Sequence, residues 1–324
     1  MSAGRVFLTG ADGFIGRAVT ERFGHDGWDV AGVDLAADPE RGVVAGDISR
    51  PGAWQEAVSG ADVIVHTAAL VSNVVPRDRA WAVNVCGTRH VIDAAEAGNV
   101  DRVVVFSSLA VYSHHRDGNV DEHRPVRPTG GIYGDTKIAA EQVALQAHAE
   151  GRVTVTILRP GDVYGPRSRP WTILPVEMLR AGLVVLPARG RGTFVPIYVD
   201  DLVEAAVRAA TSDDASGQVF NVTSGEAVET REFFGHYCRM LGIDGPRTAP
   251  TPVAVAVAEV SGRVLRMFGR PSEANASTMR MLAGTGDVSV DKARRVLAWE
   301  PEVGLVEGMR RTEEWLRSEG YLDG

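Results

Sequence analysis

The sequence predicts an α/β protein with a doubly wound parallel sheet and a smaller, mainly helical part toward its C-terminus. Short runs of β-branched and other apolar residues alternate with longer amphipathic stretches through the first half of the chain. Continuous apolar runs are typical of parallel strands, because helices bury both faces of such a sheet. After Pro160 the alternation breaks, and loop-rich and helical patterns follow.

Each predicted element follows from a local apolar pattern. The predicted strands cover residues 6–8, 30–33, 43–44, 63–65, 103–106, 153–158 and 219–222. Helical patterns begin near Gly13 and cover residues 81–97, 133–149, 174–181 and 200–210. We therefore predict a Rossmann-type domain at residues 1–165, to which residues 195–223 return. A substrate-binding domain would then comprise residues 166–194 and 224–324.

Bulk properties narrow the class of protein. The 324 residues are 44% hydrophobic and 23% charged, as in ordinary globular proteins. The net charge of −8 argues against a nucleic-acid partner, whose binding face is basic. Cys86 and Cys238 lack metal-ligand or disulfide spacing, the N-terminus leaves no room for a signal peptide, and residues 252–258 are too short to span a bilayer. We expect a cytoplasmic protein without a membrane partner.

A glycine-rich turn follows the first predicted strand. Residues 9–16 read TGADGFIG and open a helical pattern. Gly10 permits a tight turn, Gly13 lets a diphosphate approach the backbone, and Gly16 allows close packing of helix on strand. The unpaired N–H groups and the dipole of the helix N-terminus favour a diphosphate there. The order of strand, turn and helix predicts a dinucleotide site.

Asp34 ends the second predicted strand. An acidic side chain at this place accepts hydrogen bonds from the adenosine ribose hydroxyls and repels a 2′-phosphate. The following Leu35-Ala36-Ala37 contains no arginine that could bind one. The sequence therefore favours NAD over NADP. The alternative, that Asp34 only caps a loop, is disfavoured by the preceding glycines.

The spacing Gly-x-x-Gly-x-x-Gly resembles that of the extended short-chain dehydrogenase/reductase family, the NAD-dependent epimerase/dehydratase type. Further motifs agree with this resemblance along nearly the whole chain. They are Asp47-Ile48, His66-Thr67-Ala68-Ala69, Asn84-Val85-Cys86-Gly87-Thr88, Leu158-Arg159-Pro160, Tyr198-Val199-Asp200-Asp201, and a tail from Asp291-Lys292-Ala293 through Trp299-Glu300-Pro301 to Glu307-Gly308.

The resemblance implies NAD as cofactor and a homodimer formed through the exposed faces of helices 81–97 and 133–149. For Asn84, a helix-capping role is as plausible as a role near the nicotinamide. The implied cofactor-binding residues are Gly10, Asp12, Gly13, Phe14, Ile15, Gly16, Asp34, Asp47, Ile48, Ala68, Ala69, Asn84, Tyr133, Lys137, Pro160 and Val163.

Tyr133 and Lys137 lie four residues apart on a predicted helix and therefore share one face. Such a pair is suited to proton transfer, because a nearby ammonium is expected to lower the pKa of a tyrosine from its usual value near ~10. Lys137 and Lys292 are the only lysines in the chain, so a chance pair at this spacing is improbable. We identify Tyr133 and Lys137 as candidate catalytic residues.

A serine at the end of the fifth predicted strand completes the candidate site. Strand carboxyl ends are where doubly wound folds bind ligands. The register of the family motif selects Ser108, with Ser107 as the alternative. Ser108 would hydrogen-bond the substrate oxygen while Tyr133 exchanges its proton. We interpret His114, His115 and His123 as exposed loop residues, because their spacing matches no standard metal site.

The substrate is less strongly indicated. Leu109 occupies the place where dehydratases of the family carry an acid, which disfavours elimination. Asp162 and Phe194 stand where members that act on nucleotide sugars usually carry asparagine and arginine, and each change weakens a diphosphate site. Displaced arginines could compensate, the candidates being Arg167, Arg189 and Arg191.

The remaining pattern resembles members similar to 3β-hydroxysteroid dehydrogenases and dihydroflavonol reductases. It favours reversible oxidation of a secondary alcohol on a cyclic, non-nucleotide substrate. A nucleotide-sugar 4-epimerase with the same three catalytic residues is the alternative. A non-catalytic NAD sensor is a third hypothesis, disfavoured because a sensor has no need of Ser108, Tyr133 and Lys137.

Overall fold

The computed structural model describes residues 3–112, 118–267, 273 and 275–323. At its centre lies a parallel sheet of seven strands, in the order β7-β6-β5-β4-β1-β2-β3. The predicted α/β class and parallel sheet are confirmed. The strands are β1 (Arg5–Thr9), β2 (Asp29–Asp34), β3 (Val43–Ala45), β4 (Val63–His66), β5 (Arg102–Phe106), β6 (Thr154–Pro160) and β7 (Val219–Val222).

Both faces of the sheet are buried, because successive side chains of each strand point to opposite faces. On β1, Leu8 packs in one cluster with Val19 and Phe23 of the first helix. Its neighbour Phe7 packs on the other face with Ile92 of a helix that follows β4. This arrangement explains why the strands appear in the sequence as unbroken apolar runs.

Two groups of helices cover the sheet and continue beyond it. Those between the first six strands are α1 (Phe14–His25), α2 (Arg77–Trp81), α3 (Gly87–Ala97) and α4 (Ile132–Ala149), with a π-helical turn, Ala82–Cys86, joining α2 to α3. The later ones are α5 (Leu174–Arg180), α6 (Val199–Thr211), α7 (Thr230–Met240), α8 (Thr251–Met267), α9 (Ala276–Leu282), α10 (Asp291–Leu297) and α11 (Leu305–Ser318). Within the described ranges, no helix is both long and apolar enough to cross a membrane.

Short elements connect this framework. Four pairs of two- or three-residue strands join distant loops: Asn119–Val120 with Asp287–Val288, Asp162–Tyr164 with Pro196–Tyr198, Val185–Leu186 with Arg247–Thr248, and Thr193–Phe194 with Val228–Glu229. Short 3₁₀-helices lie at Pro39–Arg41, Ala53–Val58, Leu109–Tyr112, Ala188–Gly190 and Asp213–Ala215, and a second π-helical turn at Arg169–Ile173.

Two of the late sequence motifs bind each other. The buried carboxylate of Asp201, on α6, accepts hydrogen bonds from the N–H groups of Glu302 and Val303, at 2.9 and 3.0 Å. The indole N–H of Trp299 donates to the Asp201 carbonyl at 2.9 Å. These motifs therefore hold the C-terminal tail against α6.

Candidate active site

The carboxyl ends of the strands border a cleft of about 1320 Å³. Its position agrees with the rule that ligands bind where the strand order of a doubly wound sheet reverses, here between β1 and β4. Every candidate residue from the sequence except Asn84 lines it. These residues are Gly10, Asp12, Gly13, Phe14, Ile15, Gly16, Asp34, Asp47, Ile48, Ala68, Ala69, Ser108, Tyr133, Lys137, Pro160 and Val163.

The glycine turn forms a narrow cradle of backbone. Gly10 has a φ of 71°, in the left-handed region that favours glycine. A Cβ atom on Gly16 would lie 1.9 Å from the carbonyl oxygen of Gly10, and one on Gly10 would lie 2.8 Å from the Cα of Ala68. Gly13, the residue before α1, supplies no capping side chain, so the first N–H groups of α1, at the edge of the cleft, have no side-chain cap.

Asp34 lies at the end of β2 beside this turn. Its carboxylate accepts hydrogen bonds from the N–H groups of Asp12 and Leu35, at 2.9 and 2.7 Å. Two oxygens can accept about four hydrogen bonds, so the carboxylate keeps capacity for ribose hydroxyls. The glycine cradle and this carboxylate fit a dinucleotide of the NAD type.

Arg41 is a neighbour that sequence reasoning missed. It follows β2 in the short helix Pro39–Arg41, and its guanidinium bonds the carboxylate of Asp12 and, at 3.2 Å, the carbonyl of Ala11. It lies seven residues beyond Asp34, past the Leu35-Ala36-Ala37 stretch in which a phosphate-binding arginine was expected. The fold brings it back to the glycine turn.

Ser108, Tyr133 and Lys137 line the same cleft. The side chains of Ser108 and Tyr133 are hydrogen-bonded to each other. Ser108 Oγ also accepts a hydrogen bond from the N–H of Ala110, at 3.1 Å. Lys137 is buried, and its ammonium donates to the carbonyl of Phe106, at the end of β5, at 2.6 Å.

The expectation that Lys137 lowers the pKa of Tyr133 is wrong for this structure. Burial raises the pKa of Tyr133 to about 12; the Ser108 hydrogen bond opposes this rise, and the Asp162 carboxylate adds to it. Burial also lowers the pKa of Lys137 to about 8, although the nearby Glu141 carboxylate works in the opposite direction. Desolvation is the largest cause of both shifts, because burial disfavours the charged form of each group.

Ser107 lines the cleft too, but it belongs to a buried polar network. Its hydroxyl donates to Glu141 at 2.5 Å, and Arg159 binds the same carboxylate through two hydrogen bonds, at 2.8 and 2.7 Å. Arg159 also donates to the Tyr112 hydroxyl at 2.6 Å. Sequence reasoning missed Glu141, although its place four residues beyond Lys137 puts it on the same helix face.

Asn84 lies outside the cleft wall. It is buried in the π-helical turn, where its Oδ1 accepts from the N–H of Leu70 at 2.7 Å. Its amide nitrogen donates to the Leu70 carbonyl and to the Thr136 hydroxyl, at 3.1 and 3.0 Å. Asn84 is therefore neither a helix cap nor a lining residue; it joins the loop after β4 to α4.

His66 forms a second buried connection below the cofactor side. Its Nδ1 lies 2.6 Å from the Thr9 hydroxyl and its Nε2 lies 3.0 Å from the Thr88 hydroxyl. Burial lowers the pKa of His66 to about 3, and the charge of Lys137 contributes. The imidazole is therefore neutral at physiological pH.

Among the loop histidines, His123 is exposed as predicted, whereas His114 and His115 lie outside the described residues. No group of three or more His, Cys, Asp or Glu side chains among the described residues could hold a metal ion.

The half of the cleft beyond Ser108, Tyr133 and Lys137 is mostly apolar, with Arg169, Ser261, Glu273, Ser277 and Thr278 among its polar members. Phe194, at the place of the family's arginine, is buried; its ring centroid lies 4.0 Å from that of Phe233 and 4.9 Å from that of Trp171. Arg167, Arg189 and Arg191 are not among the lining residues, although Arg169 is. The apolar lining residues are Trp171, Leu174, Met178, Leu183, Val184, Val185, Leu186, Phe234, Ala254, Val257, Ala258, Met279, Met281 and Leu282.

The doubly wound sheet, the glycine cradle and Asp34 define a dinucleotide-dependent enzyme of the Rossmann class. Comparison with known proteins specifies the family. The model of the NAD dependent epimerase/dehydratase family matches residues 6–223. The chain therefore belongs to this family, of the extended short-chain dehydrogenase/reductase type, and is an NAD-dependent enzyme. The predicted family and cofactor are confirmed.

Relatives in this family differ in the compounds that their names give. A 2-alkyl-3-oxoalkanoate reductase of Stenotrophomonas maltophilia is 26% identical, over 95% of this chain and 98% of its own. A 3β-hydroxysteroid dehydrogenase/Δ5→4-isomerase of Mycobacterium tuberculosis is 28% identical, over 92% and 86%. The solved structure of MoeE5 in complex with UDP-glucuronic acid and NAD is 28% identical, with a TM-score of 0.79 over 98% and 100%.

Proposed function

We propose that the protein interconverts a secondary alcohol and a ketone on a cyclic, non-nucleotide substrate, with NAD as cofactor. The single observation that carries this proposal is the apolar lining of the substrate half of the cleft. Apolar walls with a few converging polar groups are typical of sites for small apolar ligands. Names among the relatives, such as 3β-hydroxysteroid dehydrogenase, support the same class.

The catalytic roles follow from the central cluster. When bound, NAD accepts or supplies a hydride at its nicotinamide ring. Tyr133 would donate its proton to the carbonyl oxygen during reduction, and would take it from the hydroxyl during oxidation. Ser108 would hydrogen-bond the same oxygen. Lys137, whose pKa of about 8 lies near neutral pH, would lie beside the cofactor ribose and exchange protons readily.

The geometry supports Ser108 over Ser107 for this role. The Ser107 hydroxyl already donates to Glu141 at 2.5 Å within the buried network. Ser108, in contrast, is partly exposed and hydrogen-bonded to Tyr133. Only a serine that faces both the cleft and the tyrosine can bind the substrate oxygen during proton transfer.

A nucleotide-sugar 4-epimerase is the second candidate. It is favoured by the likeness to MoeE5, whose structure holds UDP-glucuronic acid and NAD. Two arginines line the cleft: Arg79, whose charge acts on Asp47 of the cofactor half, and Arg169, which could bind a diphosphate. Arg169 also faces Glu177 at 3.7 Å, which reduces the net positive charge. The other candidate arginines, Arg167, Arg189 and Arg191, do not line the cleft. The apolar substrate is therefore favoured over a nucleotide sugar.

The domain division and the dimer remain part of the proposal. Residues 166–194 and 224–324 supply most of the apolar wall, which supports their assignment to a substrate-binding domain.

Trp81 is 43% exposed and borders a groove between α3 and α4, together with Val85, Cys86 and Ala139. An exposed tryptophan on a helix face is typical of an interface and supports the homodimer. The cytoplasmic location stays a prediction.

Ligand-dependent stability separates the two substrate classes. The protein would be unfolded thermally with saturating NAD, then with UDP, dTDP, GDP or a panel of sterol-like and flavonoid-like alcohols. A ligand at a hundred times its Kd stabilises by about 2.7 kcal/mol. We expect this gain from an alcohol of the panel. Stabilisation by a nucleoside diphosphate, without any by the alcohols, would instead establish the epimerase class.

Tyr133→Phe tests the catalytic role. Loss of the hydroxyl should reduce kcat for the best alcohol of the panel by about 10³-fold, because general acid–base transfer contributes about 10²–10⁴-fold. NAD binding should remain. Tyr321→Phe removes a tyrosine hydroxyl outside the cleft and should leave kcat unchanged. Turnover by Tyr133→Phe at the wild-type rate would refute the proposed mechanism.

A further inference from the structure

The start of α4 has no capping side chain of its own. The helix begins at Ile132, and the residue before it, Gly131, makes no side-chain hydrogen bond to it. The first four N–H groups of an α-helix have no partner within the helix. One of them belongs to Tyr133, so the backbone of the proposed proton donor depends on a partner from elsewhere.

Asn73 supplies this partner from the loop after β4. Its Oδ1 accepts a hydrogen bond from the N–H of Tyr133 at 3.2 Å, although the two residues are 60 positions apart. Asparagine oxygens are among the preferred acceptors at helix N-termini. We propose that Asn73 is a positioning residue that caps α4 and fixes Tyr133 in the cleft. This inference rests on the proposed function in that Tyr133 is taken as the proton donor.

Glu273 holds the loop that carries Asn73. Its Oε2 accepts from the N–H of Asn73 at 3.1 Å, and its Oε1 accepts from the Ser72 hydroxyl at 2.5 Å. Ser72 Oγ accepts in turn from the N–H of Val74, at 3.1 Å, which keeps the loop folded. Each carboxylate oxygen of Glu273 thus accepts a hydrogen bond from the turn that contains Ser72 and Asn73.

A chain of hydrogen bonds connects α9, in the substrate half of the cleft, to α4, which carries Tyr133. The Thr278 hydroxyl donates to the backbone carbonyl of Glu273 at 2.7 Å, and Thr278 belongs to α9. Thr278, Glu273, Ser72, Asn73 and Tyr133 all line the cleft. A substrate packed against Glu273 and Thr278 would therefore stabilise the loop whose Asn73 caps the helix of Tyr133. In this way Asn73 links the substrate half of the cleft to the proposed proton donor.

Asn73→Ala and Asn73→Asp separate positioning from a general loss of stability. Alanine removes the acceptor, whereas aspartate keeps an oxygen at the same place and adds a charge that helix N-termini favour. We expect hydrogen exchange at the Tyr133 amide to accelerate at least about tenfold in Asn73→Ala and to stay near the wild-type rate in Asn73→Asp.

The Asn73→Ala and Asn73→Asp variants should also differ in kcat. For the panel alcohol that the wild type oxidises fastest, we expect kcat to fall about tenfold in Asn73→Ala and to return to within about threefold in Asn73→Asp, because misplacement of a reacting group lowers the rate steeply. The Kd of NAD should not change. Glu273→Gln should shift kcat in the same direction by less, because Ser72 still holds its own turn.

Gln55→Ala is the matched control. Gln55 Oε1 accepts from the N–H of Gly52 at 3.1 Å at the start of another helical turn, away from the cleft. Its loss should leave the Tyr133 exchange rate and kcat unchanged.

Wild-type exchange at Tyr133 in Asn73→Ala would overturn the proposal, as would equal kcat losses in the alanine and aspartate variants. If Tyr133→Phe keeps full turnover, the proposed function fails instead, while the exchange rates still report on the cap.

Discussion

The two halves of the cleft are built in opposite ways. The cofactor half is formed mainly by loops that follow β1, β2, β3 and β4, so most of its wall comes from the early part of the chain, including Gly10, Asp34 and Ala68. The substrate half is formed by side chains from distant segments, among them Trp171 and Met281. Backbone geometry therefore shapes the first half, and side-chain packing shapes the second.

This difference indicates which half of the cleft tolerates amino-acid substitutions. A Cβ atom at Gly16 would collide with the Gly10 carbonyl, so the cradle tolerates almost no substitution. The apolar wall contains partly exposed residues such as Val257, whose replacement leaves the sheet untouched. We expect the cofactor half to resist redesign and the substrate half to accept it.

Apart from the loss expected of Tyr133→Phe, the largest expected effect lies at the boundary between the halves. Ser108→Ala should lower kcat about 10²-fold, since it removes a hydrogen bond to the reacting oxygen. Ser107→Ala should leave kcat within about threefold and lower the free energy of unfolding by about 1–2 kcal/mol, because Glu141 loses a buried donor. Steady-state kinetics and denaturant unfolding measure the two quantities. The reverse pattern would move the catalytic role to Ser107.

A charge in the apolar wall should raise the KM of the alcohol. Val257 lines the cleft and is 42% exposed, so Val257→Arg should fold normally. We expect KM to increase at least about tenfold, because an apolar substrate would displace the hydration of a cation. Val260→Arg, on the exposed face of the same helix, should change neither KM nor the Kd of NAD. An unchanged KM in Val257→Arg would place the substrate elsewhere.

Removing the charge of Asp34 should weaken selectivity in the cofactor half. Asp34→Asn keeps an oxygen for the Asp12 N–H but no longer repels a 2′-phosphate. The preference for NAD over NADP should fall by about tenfold, since charge repulsion near ~4 Å contributes on the order of kcal/mol. Calorimetric Kd values for both cofactors test this. An unaltered preference would assign Asp34 to loop capping alone.

The smallest expected effect concerns acid stability below the cofactor site. His66 has a pKa of about 3 in the folded protein, whereas an unfolded histidine titrates near ~6.5. The unfolded state therefore binds a proton first as the pH falls, so stability is complete above pH ~6.5 and is lost toward pH ~3. Between pH ~7 and ~5.5 the free energy of unfolding should fall by about 1 kcal/mol.

Denaturant unfolding across this range measures that loss. His66→Gln should abolish the part of this loss of unfolding free energy that comes from protonation of His66. His25→Gln, at an exposed position, should preserve the full slope. An identical slope in His66→Gln would assign the acid sensitivity to other groups.

Sequence reasoning reached the strands, the glycine turn and the tyrosine–lysine pair because each is encoded by neighbouring residues, whereas Ser108 followed from the register of the family motif. The observed strand Val219–Val222 coincides with its predicted range, and α4 begins one residue before the predicted helix. Asn84 was assigned to the wrong environment, because a motif cannot show that its amide bonds Leu70 and Thr136 and leaves the cleft. The pKa of Tyr133 was misjudged because burial is a property of the whole fold.

By itself, the sequence determined the succession of the main strands and helices along the first half of the chain, the dinucleotide cradle, the acidic residue expected to select NAD, and the tyrosine–lysine pair. All of these depend on spacing within one turn, strand or helix. Only the tertiary structure decided that Ser107 is bound to Glu141, that Asn73 caps the helix of Tyr133, and that aromatic rings surround Phe194. These features join residues far apart in the chain, and their energies depend on burial, which exists only after the chain has packed.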